Sequence, residues 1–84
     1  MHMLIDVRTP EEYAEGHAPG ALNIPLADIM AGDLHELATT DHATEVRLYC
    51  RSGGRAESAR QLLAEAGFTH AMNIGGLEHA LRES

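Results

Sequence analysis

The chain has one cysteine, and the residues around it are those that can turn a thiol into a nucleophile. Cys50 ends an apolar segment that reads as a β-strand over Glu45–Tyr49, and a short loop with two adjacent glycines follows it. A helical pattern of apolar residues begins directly after this loop. Ligand sites in open α/β sheets lie at the carboxyl ends of strands, so this order of elements predicts a reactive sulfur at such an end.

The loop itself has to stabilise a thiolate, because it contains no histidine or carboxylate that could act as a base. We expect its backbone N–H groups and the positive end of the following helix to surround the sulfur. Hydrogen bonds to a charged group contribute about 1.5–3 kcal/mol each, so two or three would leave the thiol mostly ionised at neutral pH. The loop residues beyond the nucleophile are Arg51, Ser52, Gly53, Gly54, Arg55 and Ala56.

Positive charge at the rim of the loop indicates an anionic substrate. Arg51 and Arg55 would attract a small dianion to a chain whose formal net charge is −7. Asp6 and Arg8 end the first predicted strand and could approach the loop from the side. We expect them to form an ion pair that supports the surroundings of the loop rather than to take part in catalysis.

No metal site and no cofactor is expected. The six histidines are scattered, with no close pair at a metal-ligand spacing; they are His2, His17, His35, His42, His70 and His79. His17 precedes Pro19-Gly20, so we predict that its side chain braces a turn.

The elements that must position Cys50 alternate between strands and helices. This alternation predicts a three-layer α/β/α domain, with a parallel sheet of four to five short strands and helices on both faces. Strands are predicted over Met3–Val7, Ala21–Ile24, Glu45–Tyr49 and Phe68–Ile74. The first helix begins with a capping box at Thr9 and Glu12, residues 26–40 are mostly helical with a break at Gly32, and a last helix covers residues 77–82.

Length and charge exclude several classes of protein. With 84 residues the chain is expected to form one domain over residues 1–84. The net charge of −7 argues against nucleic acid and anionic membrane surfaces, and no apolar run approaches the length of a membrane span. The N-terminal residues do not resemble a signal peptide, so a cytoplasmic location is expected, or a periplasmic one if a leader has been removed.

Four segments of the chain carry a resemblance to a known family. Cys50–Arg55 resembles the active-site loop of the rhodanese family, and Asp6–Tyr13 resembles its first strand and helix. Gly16–Pro25 and Asn73–Leu77 resemble its two signature segments. The segments follow one another in the family's order and cover nearly the whole chain, and the small single-domain forms of the phage-shock type are closest in length.

This resemblance implies a thiosulfate sulfurtransferase. Cys50 would attack the outer sulfur of thiosulfate, release sulfite and carry a persulfide, which cyanide or a thiol would then accept. Arg51 and Arg55 would hold the sulfonate end of the donor by charge-assisted hydrogen bonds. The resemblance implies no metal or organic cofactor.

Three other interpretations of Cys50 remain open at this point. A persulfide carrier or binding module would receive sulfur from a protein donor and pass it to a protein acceptor, with weak turnover of thiosulfate. A cysteine phosphatase would place an arginine six positions after the cysteine, whereas Arg55 is the fifth and Ala56 the sixth. A buried structural thiol is the default for a lone cysteine, but the glycine loop and the paired arginines favour chemistry.

Overall fold

A computed structural model describes residues 2–83 of the chain; residues 1 and 84, the two ends of the expected domain, lie outside the described residues. Strands and helices alternate along it, as the sequence predicts. The elements in chain order are β1 (His2–Asp6), α1 (Pro10–Glu15), β2 (Leu22–Asn23), α2 (Leu26–Met30), a 3₁₀ helix (His35–Thr39), β3 (Glu45–Cys50), α3 (Gly54–Glu65), β4 (Ala71–Gly76) and α4 (Leu77–Glu83).

The described strands form one parallel sheet in the order β2-β1-β3-β4. In its register Asp6 lies opposite Asn23 of β2 and Tyr49 of β3, so the carboxyl ends of these three strands meet at one edge. The predicted parallel sheet is therefore confirmed, and Cys50 lies at the edge where ligand sites of such sheets are found.

Two apolar cores cover the two faces of the sheet, which confirms the predicted three layers. The larger core lies between the sheet and the helices α2 and α3, and its buried members include Ile5, Val46, Leu48, Cys50, Ala59 and Leu63. The smaller core surrounds Tyr49 on the opposite face, where α1 and α4 contribute Tyr13 and Ala80. Adjacent residues of a strand point to opposite faces, so Tyr49 and Cys50 belong to different cores.

Several predicted elements differ from the structure. The first strand covers His2–Asp6 rather than Met3–Val7, and the last strand ends at Gly76 rather than Ile74. The last strand begins at Ala71 rather than Phe68, because Phe68 follows the end of α3 and buries its ring in the larger core. The strand predicted at Ala21–Ile24 is reduced to the two residues of β2. The helical region after residue 26 is broken at Gly32, as predicted, but its second part is a 3₁₀ helix.

The first helix confirms its predicted capping box. The side chain of Thr9 accepts from the backbone N–H of Glu12, and the Glu12 carboxylate accepts from the backbone N–H of Thr9. Among the described helices, none is both long and apolar enough to cross a membrane.

Candidate active site

A bulge between β3 and β4 brings a glycine to the side of Cys50. Leu48 pairs with Asn73, but Cys50 pairs with Gly76, so β4 contains an extra residue over this interval. Cys50 is 1% exposed, and it faces the larger core next to the first turn of α3. The strand therefore delivers a nearly buried sulfur to the start of a helix.

The chain turns sharply after Cys50 so that its own amides meet the sulfur. The backbone N–H of Gly53 donates a hydrogen bond to Sγ at 2.9 Å. Gly53 has a φ of 99°, a left-handed conformation that costs a residue with a Cβ about 1–2 kcal/mol. The glycine is thus needed for the turn that forms this hydrogen bond.

The loop amides outweigh burial in setting the charge of the sulfur. Burial by itself raises the pKa of the Cys50 thiol, because a thiolate loses its hydration. Backbone N–H groups oppose this effect and leave the pKa below its ordinary value; in order of influence they belong to Ala56, Ser52, Gly53 and Arg55. In the part of the chain that the structure describes, no histidine or carboxylate side chain hydrogen-bonds the sulfur. The anion therefore depends on main-chain dipoles, to which the nearby charge of the Arg55 guanidinium adds.

Two residues of β4, Asn73 and Gly76, hold the loop in place. Asn73 donates from Nδ2 to the carbonyl oxygen of Gly53 at 2.9 Å, and its Oδ1 accepts from the N–H of Gly75 at 2.9 Å. A Cβ on Gly76 would lie 2.4 Å from the carbonyl oxygen of Arg51, a contact that real Cβ atoms essentially never make. The loop therefore packs closely against β4, and this close approach requires glycine at position 76.

Both loop arginines contact one carboxylate. Arg55 donates from its two terminal nitrogens to Glu12 at 2.7 and 3.1 Å, and Arg51 lies 3.5 Å from the same carboxylate. The side chain of Arg51 is 71% exposed, whereas that of Glu12 is 18% exposed. The hydrogen bond from Arg55 lowers the pKa of Glu12 to about 2, so this carboxylate is charged at neutral pH.

Asp6 and Arg8 form the predicted ion pair, and both are buried. The Arg8 guanidinium donates to Asp6 at 2.7 Å and to the carbonyl oxygen of Gly16 at 2.6 Å. Asp6 also accepts a hydrogen bond from the hydroxyl of Tyr49 at 2.8 Å. The pair is connected to Cys50 through Tyr49, the preceding residue, and among the described residues its hydrogen bonds go to Tyr49, Gly16 and Asn23 rather than to residues 51–56.

The histidines with described contacts have structural partners. His17 stacks on the ring of Tyr13 at 3.6 Å and contacts its carbonyl oxygen through Nδ1, so its side chain packs on the end of α1 rather than on the Pro19-Gly20 turn that the sequence predicted it to brace. His35 contacts Asp28 at 2.8 Å, and Asp33 lies 3.7 Å away. Sequence spacing did not predict this exposed group, in which hydrogen bonding to Asp28 raises the pKa of His35.

Sequence reasoning assigned no site role to Glu12 or to Asn73. The sequence predicts only a capping-box role for Glu12, and its contact with Arg55 spans 43 positions of the chain, which no local pattern predicts. Asn73 had a detectable signal, because it is a polar residue near the carboxyl end of a strand. The hydroxyl of Tyr49 was likewise missed as the third member of the group around Asp6.

Comparison with known proteins agrees with this geometry. A family model described as Rhodanese-like domain matches residues 1–81. The chain is 40% identical over 74 residues to "Thiosulfate sulfurtransferase PspE" of Escherichia coli (strain K12), covering 88% of this chain and 69% of that protein. It is 34% identical over 73 residues to "Putative sulfur carrier protein YrkF" of Bacillus subtilis (strain 168), covering 84% of this chain and 36% of that protein.

A solved structure described as a rhodanese with anions from E. coli superposes with a TM-score of 0.83 at 38% identity. The superposition covers 94% of this chain and 91% of that chain, so the likeness extends over nearly all of both chains.

Proposed function

Since this chain belongs to the rhodanese-like domain family of sulfurtransferases, we propose that it moves the sulfane sulfur of thiosulfate to cyanide or a thiol through a persulfide on Cys50. The observation that carries the proposal is the sulfur held at a strand end by loop amides, with a lowered thiol pKa. A thiolate of this kind is a nucleophile without a neighbouring base.

In the first step the Cys50 thiolate attacks the outer sulfur of thiosulfate. A bond forms between the two sulfurs while the S–S bond of thiosulfate breaks, and its electron pair leaves with sulfite. The protein then carries a persulfide whose negative charge lies on the terminal sulfur. The loop amides that surround Sγ are positioned to stabilise this charge as they stabilise the thiolate.

In the second step an acceptor attacks the terminal sulfur of the persulfide. Cyanide attacks through carbon, thiocyanate leaves, and the electron pair of the broken S–S bond returns to Cys50 as the thiolate. A thiol acceptor in its thiolate form would leave as a persulfide by the same displacement. Atoms and charges balance in both steps without an oxidant, a metal or an organic cofactor.

The donor would be held by the arginines at the rim. Arg51 is mostly exposed, so its guanidinium is available to the sulfonate oxygens of thiosulfate. Arg55 is bound to Glu12 but uses only part of its five N–H donors there, which leaves donors for the substrate. We expect Arg51→Ala and Arg55→Ala to weaken thiosulfate binding more than they change persulfide decay.

Intact mass spectrometry tests the covalent step directly. Treatment with thiosulfate should add one sulfur atom to the protein, and cyanide should remove it while thiocyanate appears. Cys50→Ser is the control: it should show neither the added mass nor turnover, because a hydroxyl is far less nucleophilic than a thiolate, while its circular dichroism stays native. Sulfur transfer by the Cys50→Ser protein would contradict the proposal.

A persulfide carrier is the second candidate, and the similarity to a protein named as a putative sulfur carrier favours it. A carrier would take up sulfur from a persulfidated protein donor faster than from thiosulfate. Comparing the two rates of persulfide formation at equal donor concentration separates the candidates, since a thiosulfate sulfurtransferase should also turn over with cyanide.

A further inference from the structure

The rim of the cysteine loop, residues 50–56, carries less positive charge than its arginines alone would give. Glu12 accepts from Arg55 in a two-pronged contact and also lies within ion-pair distance of Arg51. Two guanidinium groups, this carboxylate and the thiolate of Cys50 together sum to no net charge. An incoming dianion therefore meets a neutral cluster rather than a free cationic site.

Glu12 is also held firmly in place from the other side. Its Oε1 atom accepts from the backbone N–H of Thr9 at 3.1 Å and from the Thr9 hydroxyl at 3.2 Å. The first of these bonds belongs to the capping box of α1, so the start of the helix fixes the carboxylate against the loop. A donor that needs the same N–H groups of Arg55 has to compete with an anchored anion.

We infer that Glu12 determines the charge class of sulfur donor: its carboxylate neutralises part of the positive charge that Arg51 and Arg55 offer to thiosulfate, and so favours donors with a single negative charge over this dianion. The inference rests on the proposed transfer at Cys50 and adds the substrate class to it. Repulsion by the Glu12 carboxylate scales with the charge of the donor. It therefore weakens the binding of a monoanionic thiosulfonate or a small persulfide anion less than the binding of thiosulfate.

The test compares two sulfane-sulfur donors that differ by one charge, thiosulfate and methanethiosulfonate, on the intact chain and on Glu12→Gln. Glutamine keeps the capping box, because its amide oxygen accepts as the carboxylate does. We expect the KM for thiosulfate to fall about three- to tenfold in Glu12→Gln, and the KM for methanethiosulfonate to fall by a smaller factor. The ratio of the two kcat/KM values should shift toward thiosulfate.

Glu45→Gln is the matched control. It removes the same charge and also disrupts a glutamate–arginine pair, but Glu45 begins the strand that Cys50 ends. Five residues of strand separate the two by about 16 Å, well beyond the Debye length of about 8 Å at physiological salt. The donor preference of Glu45→Gln should stay that of the unmodified chain, and an equal shift in both variants would overturn the inference.

Equilibrium binding separates this inference from the proposed function. Thiosulfate is titrated calorimetrically into Cys50→Ser and into Cys50→Ser/Glu12→Gln, neither of which can react. Tighter binding by the double variant supports the inference even if the intact chain shows no turnover, a result that would refute the proposed function alone. Equal or weaker binding by the double variant, or no binding by either protein, overturns the inference whatever the turnover.

Discussion

Tyr49 and Cys50 are neighbours in β3, and both are almost completely buried, yet their polar atoms are held in different ways. The Tyr49 hydroxyl donates to Asp6 and accepts from the backbone N–H of Ala18, so it is enclosed by specific partners. The Cys50 sulfur is instead surrounded by main-chain N–H groups of its own loop. The two residues therefore place two kinds of buried polar group on opposite faces of one strand.

The comparison shows how a fold can separate stability from reactivity. Around Tyr49, the Asp6 carboxylate is balanced by the Arg8 guanidinium, and side chains far apart in sequence satisfy one another. Around Cys50, amides stabilise negative charge without offering a proton or a covalent partner, so the sulfur stays reactive. Substitutions around Tyr49 should change the free energy of unfolding, and substitutions around Cys50 should change the thiol pKa and kcat/KM.

The largest effect is expected for Gly76→Ala, which pushes the loop away from β4. The added Cβ would lie 2.4 Å from the Arg51 carbonyl oxygen, so the loop amides must move relative to Sγ. Misplacement on this scale should lower kcat/KM about 10- to 100-fold and bring the thiol pKa back toward its ordinary value. The pH dependence of iodoacetamide alkylation measures that pKa.

Gly32→Ala is the control for this substitution. Gly32 has a φ of 86° and open space around its Cβ position, so the change should cost about 1 kcal/mol of backbone strain without touching the loop. An alkylation profile of Gly76→Ala that matched those of Gly32→Ala and the unmodified chain would show that the loop does not depend on its approach to β4.

The second effect concerns the opposite face of the strand. Tyr49→Phe removes the hydroxyl that joins Asp6 to the N–H of Ala18, and it leaves both groups short of a partner in a buried site. The free energy of unfolding, measured with urea, should fall by about 1–3 kcal/mol. The alkylation profile of Cys50 in the folded protein should stay unchanged, and a shifted profile would mean that the two regions are coupled.

A smaller effect is expected for the two asparagines that clamp the two regions. Asn73→Ala removes the donor to the Gly53 carbonyl, so the thiol pKa should rise toward its ordinary value and kcat/KM should fall a few-fold. Asn23→Ala is the matched variant, because Asn23 donates to the carbonyls of Asp6 and Arg8 at the end of β1. Asn23→Ala should lower the free energy of unfolding without changing the thiol pKa. A loss of thiol reactivity equal to that of Asn73→Ala would contradict the separation of the region around Tyr49 from the region around Cys50.

These two regions also differ in how far the sequence predicts them. The order of elements at the cysteine loop is local: a strand, a glycine pair and a helix start lie within eleven residues, so the sequence predicts the turn but not its support by Asn73 and Gly76 of β4. The contact of Tyr49 with Asp6 spans 43 positions, and so does that of Arg55 with Glu12. Such contacts depend on strand order and helix placement, which a single sequence specifies only through the whole fold.

The wrong start predicted for the last strand has a related cause. The apolar run from Phe68 fits a strand, but the hydrogen bond from its N–H to the Leu63 carbonyl ends α3 in a turn and sends the ring into the larger core. A buried residue just outside an element has the same hydrophobic signal as one inside it. The start of β4 at Ala71 was therefore beyond what periodicity could resolve.

The smallest effect is on how the free energy of unfolding depends on pH: the loop rim should affect it at acid pH and the network around Tyr49 at alkaline pH. The pKa of Glu12 is lowered from 4.5 to about 2, chiefly by the hydrogen bond from Arg55. The folded protein therefore favours the charged carboxylate more than the unfolded chain does. The stability that it contributes is present above about pH 4.5 and is lost as the pH falls toward 2. Glu12→Gln should therefore show a weaker loss of stability than the unmodified chain over this range.

Tyr49 behaves in the opposite sense. Burial raises its pKa from 10 to about 12, because a phenolate would lose hydration and would face Asp6. The neutral phenol is favoured by folding, so its contribution is complete below about pH 10 and is lost as the pH rises toward 12. Urea unfolding of Glu12→Gln, Tyr49→Phe and the unmodified chain at acid and alkaline pH measures both effects. A change in the free energy of unfolding at alkaline pH in Glu12→Gln, or at acid pH in Tyr49→Phe, would contradict this separation. The loop rim and the buried network around Tyr49 would then have to be treated as one electrostatic unit.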